Sequence, residues 1–253
     1  MKTVAIVNQM DSSGKTTTAI ELAVGYATAF PDKKVLLVDL DHQAVATDWL
    51  LGVAVPSQSE KPTIYDVLLK GTAASRAARR LKFDTDTGSP SSIDFLPSHL
   101  NMALAETELA SEGNRYGRLR QALETDKRLA GRYDLIIIDC PSSLGILTMN
   151  ALFYATDVLI PVPPSVLPLP RLAVLEKRIE QVGQHGNPGL SILGYLPVRI
   201  AEARIPQRTE AVLRDTYGDL VLPAIPWRNM AEMPPPVDPI KEAYRSLAKE
   251  LNL

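Results

Sequence analysis

The residues Gly14-Lys15-Thr16-Thr17 follow the apolar run Thr3–Val7 and precede a stretch in which Ala19, Ile20, Ala23, Val24 and Ala27 share one helical face. A strand, a tight loop and a helix start in that order can cradle phosphate. The backbone N–H groups of the loop and the N-terminus of the helix then face an anion. In such a cradle Lys15 is the point charge on the β/γ-phosphates, the Thr16 hydroxyl is a Mg²⁺ ligand and Thr17 reaches the α-phosphate. Asp11, Ser12 and Ser13 complete the loop. The competing reading is a helix start that happens to carry a lysine, since a bare G-K-T arises often by chance.

Carboxylates stand where such a site needs them. "VLLVDLD" ends one apolar run with Asp39 and Asp41, and "LIIID" ends another with Asp139. At the carboxyl ends of parallel strands these acids face the crevice in which open α/β sheets bind ligands, although acids there also cap the helices that follow. Taken with the loop, the set describes a Mg²⁺–nucleotide site. Lys15 and Thr16 serve phosphate and metal, Asp139 organises the water shell of the metal, and Asp41 is placed for the attacking water. Lys15, Asp41 and Asp139 are therefore the candidate catalytic residues, for hydrolysis of ATP to ADP and phosphate.

The elements that position these residues are short β-branched runs alternating with helical patterns, the signature of a mostly parallel twisted sheet with helices on both faces. Strands are expected at Thr3–Val7, Val35–Val38, Ile93–Leu96, Leu135–Ile138, Val158–Val162, Ser191–Leu196 and Val221–Ile225. The stretches Pro56–Pro62 and Lys82–Ser92 read as surface loops flanking a helix that carries Arg76, Arg79 and Arg80, and "EMPPPVDP" as a loop before a last helix from about Ile240 to Leu251. With 253 residues and 45% apolar content the chain reads as one α/β domain spanning 1–253. A net charge of −2 excludes a generally basic nucleic-acid coat and leaves only a local patch for DNA. Cys140 is the single cysteine, which excludes an internal disulfide and a self-contained cysteine-ligated cluster and fits a reducing cytoplasm. No run approaches 18 apolar residues, and no signal-peptide pattern opens the chain, so neither a membrane partner nor export is expected.

The motifs in this order resemble the ParA/MinD group of deviant Walker P-loop ATPases, and ParA-type partition proteins in particular. "NQMDSSGKTT" is similar to the group's N-Q-K-G-G-x-G-K-T-T, "DLDHQAVAT" to its D-x-D-P-Q-x-x-x-T, and "YDLIIIDCPSSLG" to its Y-D-x-I-I-I-D-x-P-P-S-x-G. "NALFYATDVLIPVPP" and "IPWRNMAEMPPP" resemble the segment after the second switch and the adenine-side loop, so Arg228, Asn229, Met233 and Pro234 are implied to line the base. The resemblance runs nearly end to end. It implies ATP and Mg²⁺ as cofactors, a homodimer formed face to face on ATP, non-specific DNA binding in that state, and a small adaptor protein that stimulates hydrolysis. It further implies a cytoplasmic, nucleoid-associated protein that positions or segregates a cargo such as a plasmid or a carboxysome.

Met10 stands where the group has its signature lysine, which reaches across the dimer to the partner's phosphates; Asp11 and Ser12 replace glycines, and His42 and Ser142 replace prolines. A thioether cannot act as a cation. ParA-like ATPases that position carboxysomes also lack that lysine, and this chain looks closer to them. Arg171, in the segment after Val158–Val162, is the candidate replacement in trans, with Arg228 next. For DNA the candidates are Arg199, Arg204, Arg208, Lys241 and Arg245, set against the alternative of solvated helix faces diluted by Glu202, Glu210 and Glu250. A P-loop ligase or synthetase, and a nucleotide-binding scaffold without hydrolysis, remain open as other functions.

Overall fold

The computed structural model describes residues 1–52, 61–85, 88, 90–163, 169–198, 206–226, 238–251 and 253, with only the backbone of 206–209. Along the chain run β1 (Lys2–Ile6), α1 (Lys15–Ala29), β2 (Val35–Asp39), α2 (Val45–Leu51), α3 (Ile64–Lys70), α4 (Ala74–Ala77), β3 (Arg79–Asp84) and β4 (Pro90–Leu96). They are followed by α5 (Met102–Ala110), α6 (Arg118–Thr125), β5 (Leu135–Asp139), α7 (Ile146–Tyr154), β6 (Asp157–Val162), α8 (Leu169–His185), β7 (Ser191–Pro197), α9 (Pro206–Tyr217) and α10 (Pro239–Glu250). The strands form one sheet in the order β3-β4-β2-β5-β1-β6-β7, parallel except for β3, which runs antiparallel to β4. The expected α/β architecture, mostly parallel with helices on both faces, is what the chain adopts.

Every residue of β2 (VLLVD) and of β5 (LIIID) is buried, as befits central strands covered on both faces. The alternation of the pleat divides them between two cores. Leu135 and Ile137 join α1 and α10 on one face, while Ile136 and Ile138 join α5, α7 and α8 on the other.

Helix α1 carries the phosphate-loop residues into the first of these cores, and α10 locks it there. A Cβ on Gly25 would lie 3.0 Å from the Arg245 amide nitrogen and 3.1 Å from the Tyr244 carbonyl carbon, so only glycine lets the two backbones approach this closely. About two turns earlier, the Thr18 and Tyr244 hydroxyls hydrogen-bond at 2.8 Å in the buried interface. The stripe expected on the last helix is present: Tyr244 and Leu247 are buried, and Ile240 and Leu251 pack against the same core.

Three expectations are corrected. Lys82–Ser92 is not a loop: its two ends belong to the β3–β4 hairpin, paired from Arg79↔Phe95 to Asp84↔Pro90. The helix expected to carry three arginines is the single turn α4, which holds Arg76, whereas Arg79 and Arg80 begin β3. Strand residues Arg79, Leu81 and Phe83 are half-buried and Arg80, Lys82 and Asp84 exposed, a period of two that charge at every exposed position concealed. Val221–Ile225 is not a strand either, and makes only the isolated bridges Tyr195↔Val221 and Val198↔Ile225. Pro223 between them cannot donate to a ladder. "EMPPPV" and most of Pro56–Pro62 lie outside the described residues.

The α1–α10 contact sets a prediction. Gly25→Val should lower unfolding stability by about 1–3 kcal/mol through backbone overpacking. Gly183→Ala on α8, where a Cβ meets nothing within 4 Å, should raise it by up to about 1 kcal/mol. Urea unfolding followed by circular dichroism reads both, and equal effects would remove the assigned role of the close approach.

Candidate functional site

The loop between β1 and α1 is fixed at its start by Asn8. This buried side chain donates to the Pro161 carbonyl of β6 at 2.6 Å and accepts the Met10 amide at 2.8 Å, so the loop leaves β1 in a set direction. Ser12 (φ +56°) and Gly14 (φ +84°) both take left-handed backbone. The turn is therefore made although a glycine is missing at position 12, at a strain of about 1 kcal/mol. Gly14 precedes α1 and no side chain caps the helix, so its first amides are available to an anion.

Residues 11–17 with Asp41, Gln43 and Val45 line a groove of about 260 Å³. The loop and Asp41 are thus brought together as expected, and Asp139 lies beneath them. A larger groove of about 500 Å³ elsewhere holds none of these residues, and the chemistry belongs to the smaller one. Buried Lys15 donates to the Met10 carbonyl at 3.0 Å. Burial holds its pKa below the usual lysine value, against the opposing pull of Asp139, Asp41 and Asp11.

Asp39 and Asp139 are partners in the β2–β5 register and both are fully buried. Asp39 accepts the Asp41 amide at 3.0 Å, the Thr47 amide at 3.0 Å and the Thr47 hydroxyl at 2.7 Å. Burial nevertheless pushes its pKa up to about 7. Asp139 has neither carboxylate oxygen hydrogen-bonded, and burial, with the Asp39 charge beside it, holds its pKa well above the carboxylate range despite Thr16 and Lys15. Ser13 Oγ is likewise buried without a partner. Orphaned polar atoms below an open helix N-terminus fit a bound Mg²⁺–nucleotide, which would meet the carboxylate through metal-held water and the loop through phosphate. Among the described residues no group of three or more His, Cys, Asp or Glu side chains could hold a metal alone.

Asp41 forms the lip of the groove. Its Oδ1 accepts the Gln43 amide at 3.0 Å and lies 3.4 Å from His42 Nδ1, and its carbonyl takes the Ser98 hydroxyl at 2.6 Å. Sequence reasoning gave no role to Asn8, Asp39 or Thr47. The strand-end position of Asp39 was visible, but that it would lie in register with Asp139 required the strand order.

The other candidates stand apart. Arg171 is exposed in the first turn of α8, without a hydrogen bond or ion pair among the described residues. Lys241 is exposed on α10, whereas Arg245 packs against α1 with its guanidinium 3.1 Å from Glu242. Arg199, Arg204, Arg228, Asn229, Met233 and Pro234, and the side chain of Arg208, lie outside the described residues.

A family model for an AAA domain matches residues 1–192. The chromosome partitioning protein ParA of Myxococcus xanthus is 35% identical over 260 residues, covering 98% of this chain and 87% of that one. The sporulation initiation inhibitor protein Soj of Bacillus subtilis is 33% identical, covering 99% and 98%. Among solved structures, cobyrinic acid a,c-diamide synthase from Mycobacterium smegmatis with bound ADP and magnesium superposes with a TM-score of 0.80 at 31% identity, covering 100% and 94%.

The unpaired Asp139 sets a second prediction. A carboxylate with a raised folded-state pKa favours folding most below its unfolded value, and that advantage is lost as pH rises through the folded value. Asp139→Asn should therefore stabilise the nucleotide-free chain at pH 7 to 8 by about 1–3 kcal/mol, with the gain vanishing near pH 4, while ATP turnover falls. Denaturant unfolding at the two pH values measures it; a gain independent of pH would assign the effect to packing.

Proposed function

The chain belongs to the ParA family of partition ATPases, and on that premise we propose that it is an ATP-driven dimerising switch. In the ATP state it binds DNA without sequence preference, and an adaptor protein that stimulates hydrolysis resets it. Its cargo is a plasmid or a carboxysome, and it acts in the cytoplasm on the nucleoid. The observation that carries the reading is the orphaned Asp139 carboxylate, in the field of buried Lys15, under an uncapped helix N-terminus.

Bound Mg²⁺–ATP supplies the γ-phosphorus that water attacks. Lys15 exchanges the Met10 carbonyl for phosphate oxygens, and the regained charge partner restores its usual basicity. Asp139 would hold a water of the bound Mg²⁺. Asp41, its Oδ1 tied to the Gln43 amide, orients the attacking water with its other oxygen, which takes no hydrogen bond among the described residues. Dimerisation is supported by apolar exposure on the same edge of the sheet: Val45 at the groove is 45% exposed and Leu100, just past β4, 65%. Two nucleotides facing each other need cations between them, and Met10 contributes none. Arg171, uncommitted at the start of α8, is the proposed source in trans, and Arg228 the next. Lys241 and Arg245 of α10, with Arg199, Arg204 and Arg208, are the proposed DNA contacts. No described helix is long and apolar enough to cross a membrane.

The likeness to a diamide synthase gives a second reading, an ATP-dependent ligase of a carboxylated metabolite. DNA-stimulated ATP turnover supports the switch; amide formation without it supports the ligase. ATP turnover absent with DNA and adaptor present would leave a scaffold.

Lys15→Ala should lose ATP binding, whereas Asp41→Ala should bind ATP normally and lose turnover by about a hundredfold or more. Calorimetric titration and a phosphate-release assay separate the two, and normal turnover of Asp41→Ala would remove it from the water-orienting role.

Adding Arg171→Ala to Asp41→Ala should abolish both ATP-dependent dimerisation and DNA binding while ATP binding persists. Light scattering and anisotropy on random duplexes at rising salt read this, the parent losing affinity steeply with salt. A fully formed dimer of the double variant would exclude Arg171.

A further inference from the structure

The groove of about 500 Å³ runs along β3, the edge strand, with three strands between it and β1. Its floor and walls include Leu81 and Phe83 of β3, Trp49 and Leu50 of α2, and Lys241 of α10. The backbone of β3 hydrogen-bonds to β4 alone; along Arg79–Asp84 the outer N–H and C=O groups have no partner among the described residues. Trp49 is 51% exposed there. Among the described residues Lys82 and Lys241 have no carboxylate partner, and Arg80 stands 3.6 Å from an Asp94 that Arg132 also approaches at 3.3 Å. Glu21 and Asp84 border the groove as well, leaving it net positive with Arg80, Lys82, Lys241 and Arg245.

We infer that this edge binds an extended acidic segment of a partner protein, which adds a strand to the sheet beside β3. Strand addition takes its affinity from the unpaired backbone and its specificity from alternate side chains. Directly opposed side chains on adjacent strands share a face. The peptide residues across from Arg80 and Lys82 must then be acidic, and those across from Leu81 and Phe83 apolar. Such a strand alternates acid with apolar residue, and its apolar face meets Trp49 and Leu50 while Lys241 adds charge on the far wall.

A second copy of β3 fits poorly. Of the two fullest antiparallel registers that keep Leu81 and Phe83 on one face, one sets Arg80 against Lys82 twice; the other matches Arg80 with Asp84 but sets Lys82 against itself, so neither gives Lys82 an acid as an acidic segment does. A nucleic acid would use the cations but neither the peptide edge nor the indole-lined apolar wall. The site needs no nucleotide; Lys241 and Arg245 on its wall are also the proposed DNA contacts, so peptide binding is read without DNA and the duplex separately.

The test is fluorescence anisotropy of a labelled octapeptide of alternating Glu and Val with the full-length chain. Three comparisons accompany it: the Lys–Val analogue, the Glu–Val peptide N-methylated at every second residue on its pairing edge, and a random DNA duplex. The Glu–Val peptide should bind about tenfold or more tighter than the Lys–Val peptide and lose binding on N-methylation. Lys82→Glu and Trp49→Ala should each weaken it by about threefold to tenfold with ATP affinity unchanged, and hydrogen exchange of Arg79–Asp84 should slow in the complex. Absence of binding, equal affinity for the two peptides, or binding that survives N-methylation would overturn the inference. So would a duplex weakened by Lys82→Glu where the peptide is not held, which would make the face a nucleic-acid surface.

Discussion

Two carboxylates held side by side in a dry sheet are the constraint on which the site depends. Asp39 and Asp139 are opposed by strand register, and among the described residues no ion pair neutralises either. Asp39 is answered by Thr47 and the Asp41 amide, and these contacts fix the turn that carries Asp41 to the groove. Asp139 is left open and waits, with Ser13, for what the loop binds. Stability withheld at that position is the local condition for affinity, because a carboxylate satisfied by the protein would have no reason to recruit metal-bound water.

The second constraint is direction. The loop must arrive over Asp139 with its amides turned inward, and Asn8 does this by tying the exit of β1 to β6, two bonds on a single buried amide. Lys15 then rests on the Met10 carbonyl, within the field of three acids. The substitution at position 10 changes the side chain but not the carbonyl, so the resting pose of the loop survives it.

The central strands were legible because residues buried on both faces must be apolar throughout, as in VLLV and LIII. The phosphate loop was legible from Gly14-Lys15-Thr16 in its strand–helix setting. The edge was not: β3 has one face in contact with the core, so its exposed positions carry charge, and its start, Arg79 and Arg80, read as helix while Lys82–Asp84 read as loop. Val221–Ile225 failed in the opposite way, apolar enough for a strand but interrupted by Pro223. Ser12 shows the limit of residue preferences in turns, since the loop imposes φ +56° on a side chain that disfavours it. Asn8 and Asp39 needed the strand order, which periodicity does not contain.

The seating of α10 against α1 joins residues far apart in the chain, Thr18 and Tyr244 being 226 positions apart. During synthesis the phosphate loop therefore leaves the ribosome long before the helix that covers the back of α1 exists. A contact of such long range is also slow to form in a refolding chain, since loop closure comes before its reward. The amides that open α1 are thus steadied only once the chain has been made through Glu250, and a nascent chain lacking α10 has the motif but not its support.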